Sequence, residues 1–92
     1  MPAVALAKAG LPMFYVYALR SEKDSKQTYI GFTEDLRKRL AEHNDGKSTH
    51  TNKYKPWCVV AYFAFAVRAR ALAFEKYLKS GSGRAFAKRH FS

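Results

Sequence analysis

The sequence predicts an α/β domain in which a small three-stranded antiparallel β-sheet is flanked by helices. Three observations carry that expectation. Two β-branched and aromatic runs, residues 14–19 and 28–32, are separated by a polar stretch, which reads as a hairpin. A longer apolar run over residues 57–66 has the composition of a third strand. The segments between and after these runs place apolar residues at helical spacing. With 92 residues the chain has room for one domain, and its 48% apolar content is enough to close a core.

Taken in order, residues 1–12 are Ala-rich, bounded by Pro2 and Pro12, and read as a loose N-terminal extension that is not a secretory leader. The domain is expected over residues 13–92, opening with Phe14-Tyr15-Val16-Tyr17-Ala18-Leu19 as a strand covered on both faces. Arg20 to Gln27 makes the turn, and Thr28-Tyr29-Ile30-Gly31-Phe32 returns. Thr33 is expected to cap a helix with Glu34 and Asp35 in its first turn, and Asn44-Asp45-Gly46 to end it. A polar, basic loop follows, closed by Pro56. After the third strand, a helix over Arg68 to Lys79 stops at Ser80-Gly81-Ser82-Gly83. A short helix from about Arg84 to His90 then packs Phe86 and Phe91 on the body. The Ser-Gly run lacks phosphate-loop spacing and follows a helix, so it reads as a helix stop and start.

Charge narrows the function. Seventeen Lys and Arg against seven Asp and Glu give a net charge of +10, which points to a polyanionic partner. No acid cluster suggests a calcium site, and no run of ~18 apolar residues suggests a membrane span. Cys58 is a lone cysteine, so neither a disulfide within the chain nor a zinc site follows from it, and a cytoplasmic setting is expected. From Gly46 onward there are ten bases and a single acid, Glu75.

Three polar residues sit where apolar ones are expected. On a helical wheel at ~100° per residue, Arg39 and His43 share the side of Leu36 and Leu40, whereas Arg37 and Lys38 point elsewhere. They are one turn apart and can meet over one spot. Either alone also fits a boundary position with a snorkelling stem. Glu75 falls on the flank of the apolar stripe of its helix and needs a partner there: Arg39, another base, or a metal ion. Tyr15, Tyr17 and Tyr29 fit ordinary core aromatics, and Cys58 fits packing. His50 and Lys53 fit a solvated patch that contacts phosphates.

The ordered set Tyr15-Val16-Tyr17, Tyr29-Ile30-Gly31, Arg39, His43 and Glu75 resembles the GIY-YIG nuclease superfamily, which includes homing endonucleases and the incision domain of bacterial excision repair. The segments Tyr29-Ile30-Gly31-Phe32-Thr33 and Glu75 to Arg84 are most similar to the small stand-alone bacterial members. One departure is that Tyr15 stands where the first motif often has Gly. The resemblance covers residue 13 to the end and implies a metal-dependent endonuclease that hydrolyses phosphodiester bonds, of DNA more than RNA, with structure selectivity and a role in repair. It further implies that Glu75 holds a single Mg²⁺ (or Mn²⁺) and that Arg39 binds the scissile phosphate. Tyr17 would accept a proton from the attacking water, while Tyr29 or His43 orients water and phosphate. A phenol with an ordinary pKa of ~10 would then need nearby cations to favour its phenolate. The products implied are 5′-phosphate and 3′-hydroxyl ends.

Candidate nucleic-acid-binding positions are His50, Lys53, Lys55 and Arg84, with Asn52 as a further site candidate. No separate specificity domain is expected, so either low sequence specificity or a protein partner that supplies specificity is expected. The competing reading is a non-catalytic basic module that retains the fold and binds nucleic acid without cutting it.

Overall fold

The computed structural model describes residues 13–47 and 51–91. The expected extension at residues 1–12 lies outside the described residues. The aromatic and β-branched runs form the sheet, with β1 at Phe14–Ser21, β2 at Thr28–Thr33 and β3 at Trp57–Phe65. The strand order is β2-β1-β3, and both neighbours run antiparallel to β1. Being central, β1 is covered on both faces, which is why Val16, Tyr17, Ala18 and Leu19 are all buried. It runs past the expected end at Leu19, because Arg20 and Ser21 still pair with Cys58 and Trp57.

The β1–β3 register slips between Ala18 and Leu19: Ala18 lies opposite Ala61 but Leu19 opposite Val59, leaving Val60 as the extra residue. The bulge allows Val59 and Tyr62, three residues apart, to line the same groove as Tyr15.

Helix α1 spans Leu36–Asn44. Its N-cap is Asp35, whose carboxylate accepts from the Lys38 N–H at 3.1 Å. This corrects the expectation that Thr33 caps the helix with Glu34 and Asp35 inside it. The Thr33 hydroxyl is used one step earlier, accepting from the Asp35 N–H at 3.0 Å. The other end is as expected: Asp45 donates to the Ala41 carbonyl, and Gly46 adopts a φ of 78°.

Helix α2 occupies the expected Arg68–Lys79. Helix α3 spans Gly81–Phe91, starting three residues before the expected Arg84. Ser80 alone separates the two helices. Its hydroxyl donates to the Tyr77 carbonyl and accepts from the Gly83 N–H at 3.2 Å, so one residue stops α2 and caps α3. Gly83 is buried in this corner, where a Cβ would collide with the Tyr77 carbonyl.

The two faces of the sheet have separate cores. On one, α2 and α3 pack Ala71, Leu78, Phe74, Phe86 and Phe91 against Val16, Ile30, Phe32 and Phe65. On the other, Leu36 and Leu40 of α1 pack with Tyr17, Leu19, Trp57, Tyr29 and Val59. The second face carries the polar residues singled out by the wheel.

Candidate active site

Tyr17 is the centre of the α1 face. Its ring is 2% exposed, and its hydroxyl lies 2.9 Å from Nε2 of His43. The phenol crosses directly over Gly31 of the neighbouring strand, where a Cβ would collide with its Cζ and Oη and stand 2.9 Å from Cε1. The Gly31 backbone is not in the left-handed region, so it is the close approach of the phenol that requires glycine here. Tyr29 flanks the pair, with its ring 4.9 Å from the imidazole and 6.3 Å from the Tyr17 ring. It is half-buried, so of the two tyrosines it is the one more open to solvent.

His43 is completely buried and bonded on both sides, Nε2 to Tyr17 and Nδ1 to Oγ1 of Thr51 at 2.7 Å. Burial, then the charge of Arg39, push its pKa below the ordinary histidine value, and the imidazole is neutral at pH 7. Being buried, His43 meets no solvent water, and any effect it has on one passes through Tyr17.

Arg39 stands at the half-exposed edge of this cluster. Its Nη1 donates to Oε1 of Glu42 at 2.9 Å, one turn along the helix. That bond raises the guanidinium pKa further and lowers that of Glu42. Arg39 also stands close enough to the Tyr17 phenol to pull the phenol's pKa down. Burial wins nonetheless, and the Tyr17 pKa is pushed up to about 12. The nearby cation does favour the phenolate, but removing the phenol from water costs its charged form more than one half-exposed guanidinium returns.

Glu75 comes from α2, on the other face, yet its charge is close enough to raise the Tyr17 pKa. Its carboxylate pairs with Lys79 at 3.1 Å, an exposed i,i+4 pair. The bridge to Arg39, one of the alternatives open for Glu75, is not formed, because Arg39 is turned to Glu42. Among the described residues no three His, Cys, Asp or Glu side chains converge on one point.

The binding candidates are more dispersed. Lys53 and Lys55 are exposed beside a single turn of 3₁₀ helix at Asn52–Tyr54, with Lys53 Nζ 5.5 Å from the Tyr54 ring centre. Asn52 is exposed in the same turn. Arg84 is exposed on α3, across the sheet from that loop. His50 lies outside the described residues. A groove lined by Tyr15, Leu36, Arg37, Leu40, Val59 and Tyr62, with Glu34 and Asp35 at its rim, contains none of the expected catalytic residues. Among the described residues no helix is long and apolar enough to cross a membrane.

Sequence reasoning missed Thr51, Asn44 and Trp57. Thr51 is 1% exposed, although it sits in a stretch that reads as solvated loop. Asn44 reads as a helix stop, but its side chain brackets the Trp57 backbone, accepting the N–H at 2.6 Å and donating to the carbonyl at 3.1 Å. The one local signal was Trp57 itself: a buried indole needs an acceptor for its N–H, and the Thr51 carbonyl supplies it at 2.8 Å.

Comparison with known proteins places this arrangement. The model of the GIY-YIG catalytic domain matches residues 13–89. The structure-specific endonuclease subunit slx1 of Talaromyces stipitatus is 42% identical over 72 residues, which is 71% of this chain but only 18% of that relative's length. A UPF0213 protein of Streptococcus pyogenes serotype M5 is 38% identical over 66 residues, covering 71% of this chain and 70% of its own. The solution NMR structure of the UPF0213 protein BH0048 from Bacillus halodurans superposes with a TM-score of 0.52 at 31% identity, covering 84% of this chain and 81% of that one. On the strength of these matches and of the site assembled around Tyr17, Gly31 and His43, the chain belongs to the GIY-YIG catalytic domain family.

Proposed function

We propose that the chain is a divalent-metal-dependent endonuclease that hydrolyses phosphodiester bonds of nucleic acid. DNA is favoured over RNA, and the action is structure-selective and repair-related. The observation that carries the reading is the buried hydrogen bond between Tyr17 and a neutral His43, with Arg39 at its solvent edge. A module that only binds nucleic acid needs no such buried phenol–imidazole pair. The relatives named structure-specific endonuclease subunits support the substrate class and the need for a protein partner.

Hydrolysis needs a nucleophilic water, a place for its proton, and stabilisation of charge on the phosphoryl group. With its pKa near 12, Tyr17 begins as a neutral phenol. As the water oxygen attacks phosphorus, one water proton passes to the Tyr17 oxygen and the phenol's own proton passes to Nε2 of His43. The P–O3′ bond breaks, leaving a 5′-phosphate and a 3′-oxygen that takes a proton from solvent. The imidazolium then returns its proton through Tyr17. Little of Tyr17 meets solvent, so Tyr29 holds the water at that point. Arg39 faces the phosphoryl oxygens with a planar fork that matches their geometry. Glu75 is the residue that would hold the metal ion; one carboxylate with waters and phosphate oxygens is a donor set that fits Mg²⁺, which stabilises the leaving oxygen when bound.

The test is a cleavage screen over branched, single-stranded and double-stranded DNA and RNA, with Mg²⁺, Mn²⁺ or a chelator present. Metal-dependent cutting of branched DNA, with 5′-phosphate and 3′-hydroxyl ends, is expected. Binding without cutting on every substrate would return the chain to the binding-module reading.

A further inference from the structure

Two adjacent residues of α1, His43 and Asn44, are the ends of one closed hydrogen-bond circuit. Asn44 grips the backbone of Trp57 through both its amide atoms, at 2.6 and 3.1 Å. The Trp57 indole N–H donates to the Thr51 carbonyl at 2.8 Å. The Thr51 hydroxyl closes the loop on Nδ1 of His43 at 2.7 Å. Since His43 is 0% and Thr51 1% exposed, bulk water reaches neither member of the last pair. The circuit holds Thr51 Oγ1 in register with the imidazole from both directions along the chain.

We propose that Thr51 is a positioning residue: by accepting the Nδ1–H of His43 it keeps Nε2 unprotonated and open to the proton of Tyr17. The catalytic meaning of this assignment rests on the nuclease reading. A donor count supports its direction. Tyr17 is 2% exposed and the hydrogen bond of its hydroxyl runs to His43, while Arg39, bonded to Glu42, can only donate. If His43 donated from Nε2, the buried phenol's own proton would have neither His43 nor Arg39 as acceptor. With Nδ1–H given to Thr51, Tyr17 donates to Nε2 at 2.9 Å, and both the imidazole proton and the phenol proton have acceptors. A buried imidazole with the opposite tautomer could not take the phenol's proton at all. Thr51 thus does for His43 what an orienting acceptor does for any base histidine: it fixes which nitrogen is free.

The experiment is long-range ¹H–¹⁵N spectroscopy of the histidine rings in the full chain near neutral pH, with His43 assigned by its loss in His43→Gln. Wild type is expected to carry the proton on Nδ1. Thr51→Val, which keeps the shape and removes the hydroxyl, should move the proton toward Nε2. On the substrate found by the cleavage screen, it should also slow turnover about 10-fold while metal-free binding is unchanged. Thr51→Ser should restore both. An Nε2–H tautomer in wild type overturns the proposal without any variant, and so does a Thr51→Val protein that keeps the Nδ1–H form. If wild type cuts no substrate while the tautomer still follows residue 51, the nuclease reading fails and the Thr51 assignment stands.

Discussion

Gly31→Ala isolates the packing on which the site depends. In a strand this change normally helps by about 0.5–1 kcal/mol, because alanine restricts the unfolded chain and suits the strand better. Here the new methyl would collide with Cζ and Oη of Tyr17. The ring cannot swing away cheaply: it is 2% exposed, on the central strand, and hydrogen-bonded to His43. Overpacking of this kind costs about 1–3 kcal/mol. Pushing the phenol off His43 leaves a buried ring nitrogen without its partner, worth about 1–3 kcal/mol more. Net of the strand gain, the loss should be about 1–5 kcal/mol and centre near ~3 kcal/mol, where Tm falls by roughly 10 °C or more for a domain this small. Urea denaturation of the two proteins measures it at constant m. The same substitution in a Tyr17→Leu background, where no phenol crosses Gly31, should cost less than about 0.5 kcal/mol, a coupling of about 2 kcal/mol or more. A Gly31→Ala protein that unfolds at the wild-type urea concentration, or a cost undiminished in the Tyr17→Leu background, would refute the reasoning.

Arg39→Ala should lower cleavage ~10²–10³-fold while weakening metal-free binding only slightly, and Arg37→Ala, whose residue lines the groove away from Tyr17, should do neither. Equal losses from the two would show that Arg39 is not addressing the reacting phosphate. Glu75→Gln should abolish cleavage yet leave Tm within about 2–4 °C of wild type, since the pair it breaks, with Lys79 half-exposed, contributes at most ~0.5 kcal/mol. A large fall in Tm with activity per folded molecule intact would make Glu75 structural instead. Stability should also depend on pH at both extremes. The folded pKa of His43 is depressed, so the unfolded chain binds the extra proton; the contribution is full above the ordinary value of ~6.5 and is lost as pH falls through the folded pKa. The Tyr17 value is raised to about 12, so its contribution is full below the unfolded value of ~10 and is lost as pH rises toward 12. Denaturation curves should lose the acid limb in His43→Gln and the alkaline limb in Tyr17→Phe; limbs unchanged by either substitution would assign them to other groups.

Much of this protein is legible along the chain because the forces concerned act over a few residues. Strand composition in β1, β2 and β3, the bounds of α2, and the C-terminal stop of α1 at Gly46 follow from side-chain period, propensity and local backbone geometry. The same period placed Arg39 and His43 on the inward side of α1. Where two local solutions compete, as Thr33 against Asp35 for the N-cap or Ser80 against the whole Ser-Gly run for the helix break, only the folded backbone chose, since capping depends on which oxygen reaches which N–H. The site itself is made of meetings across the chain. Tyr17 and His43 are 26 residues apart, and their bond exists because α1 is laid across the face of the central strand at one register. Thr51 is buried where the contacts of Asn44 and Trp57 bring it against His43. The net rise of the Tyr17 pKa was illegible for the same reason: its neighbouring cation is visible in the sequence pattern, but desolvation is a property of the whole surrounding volume, which exists only once the chain has closed around the phenol.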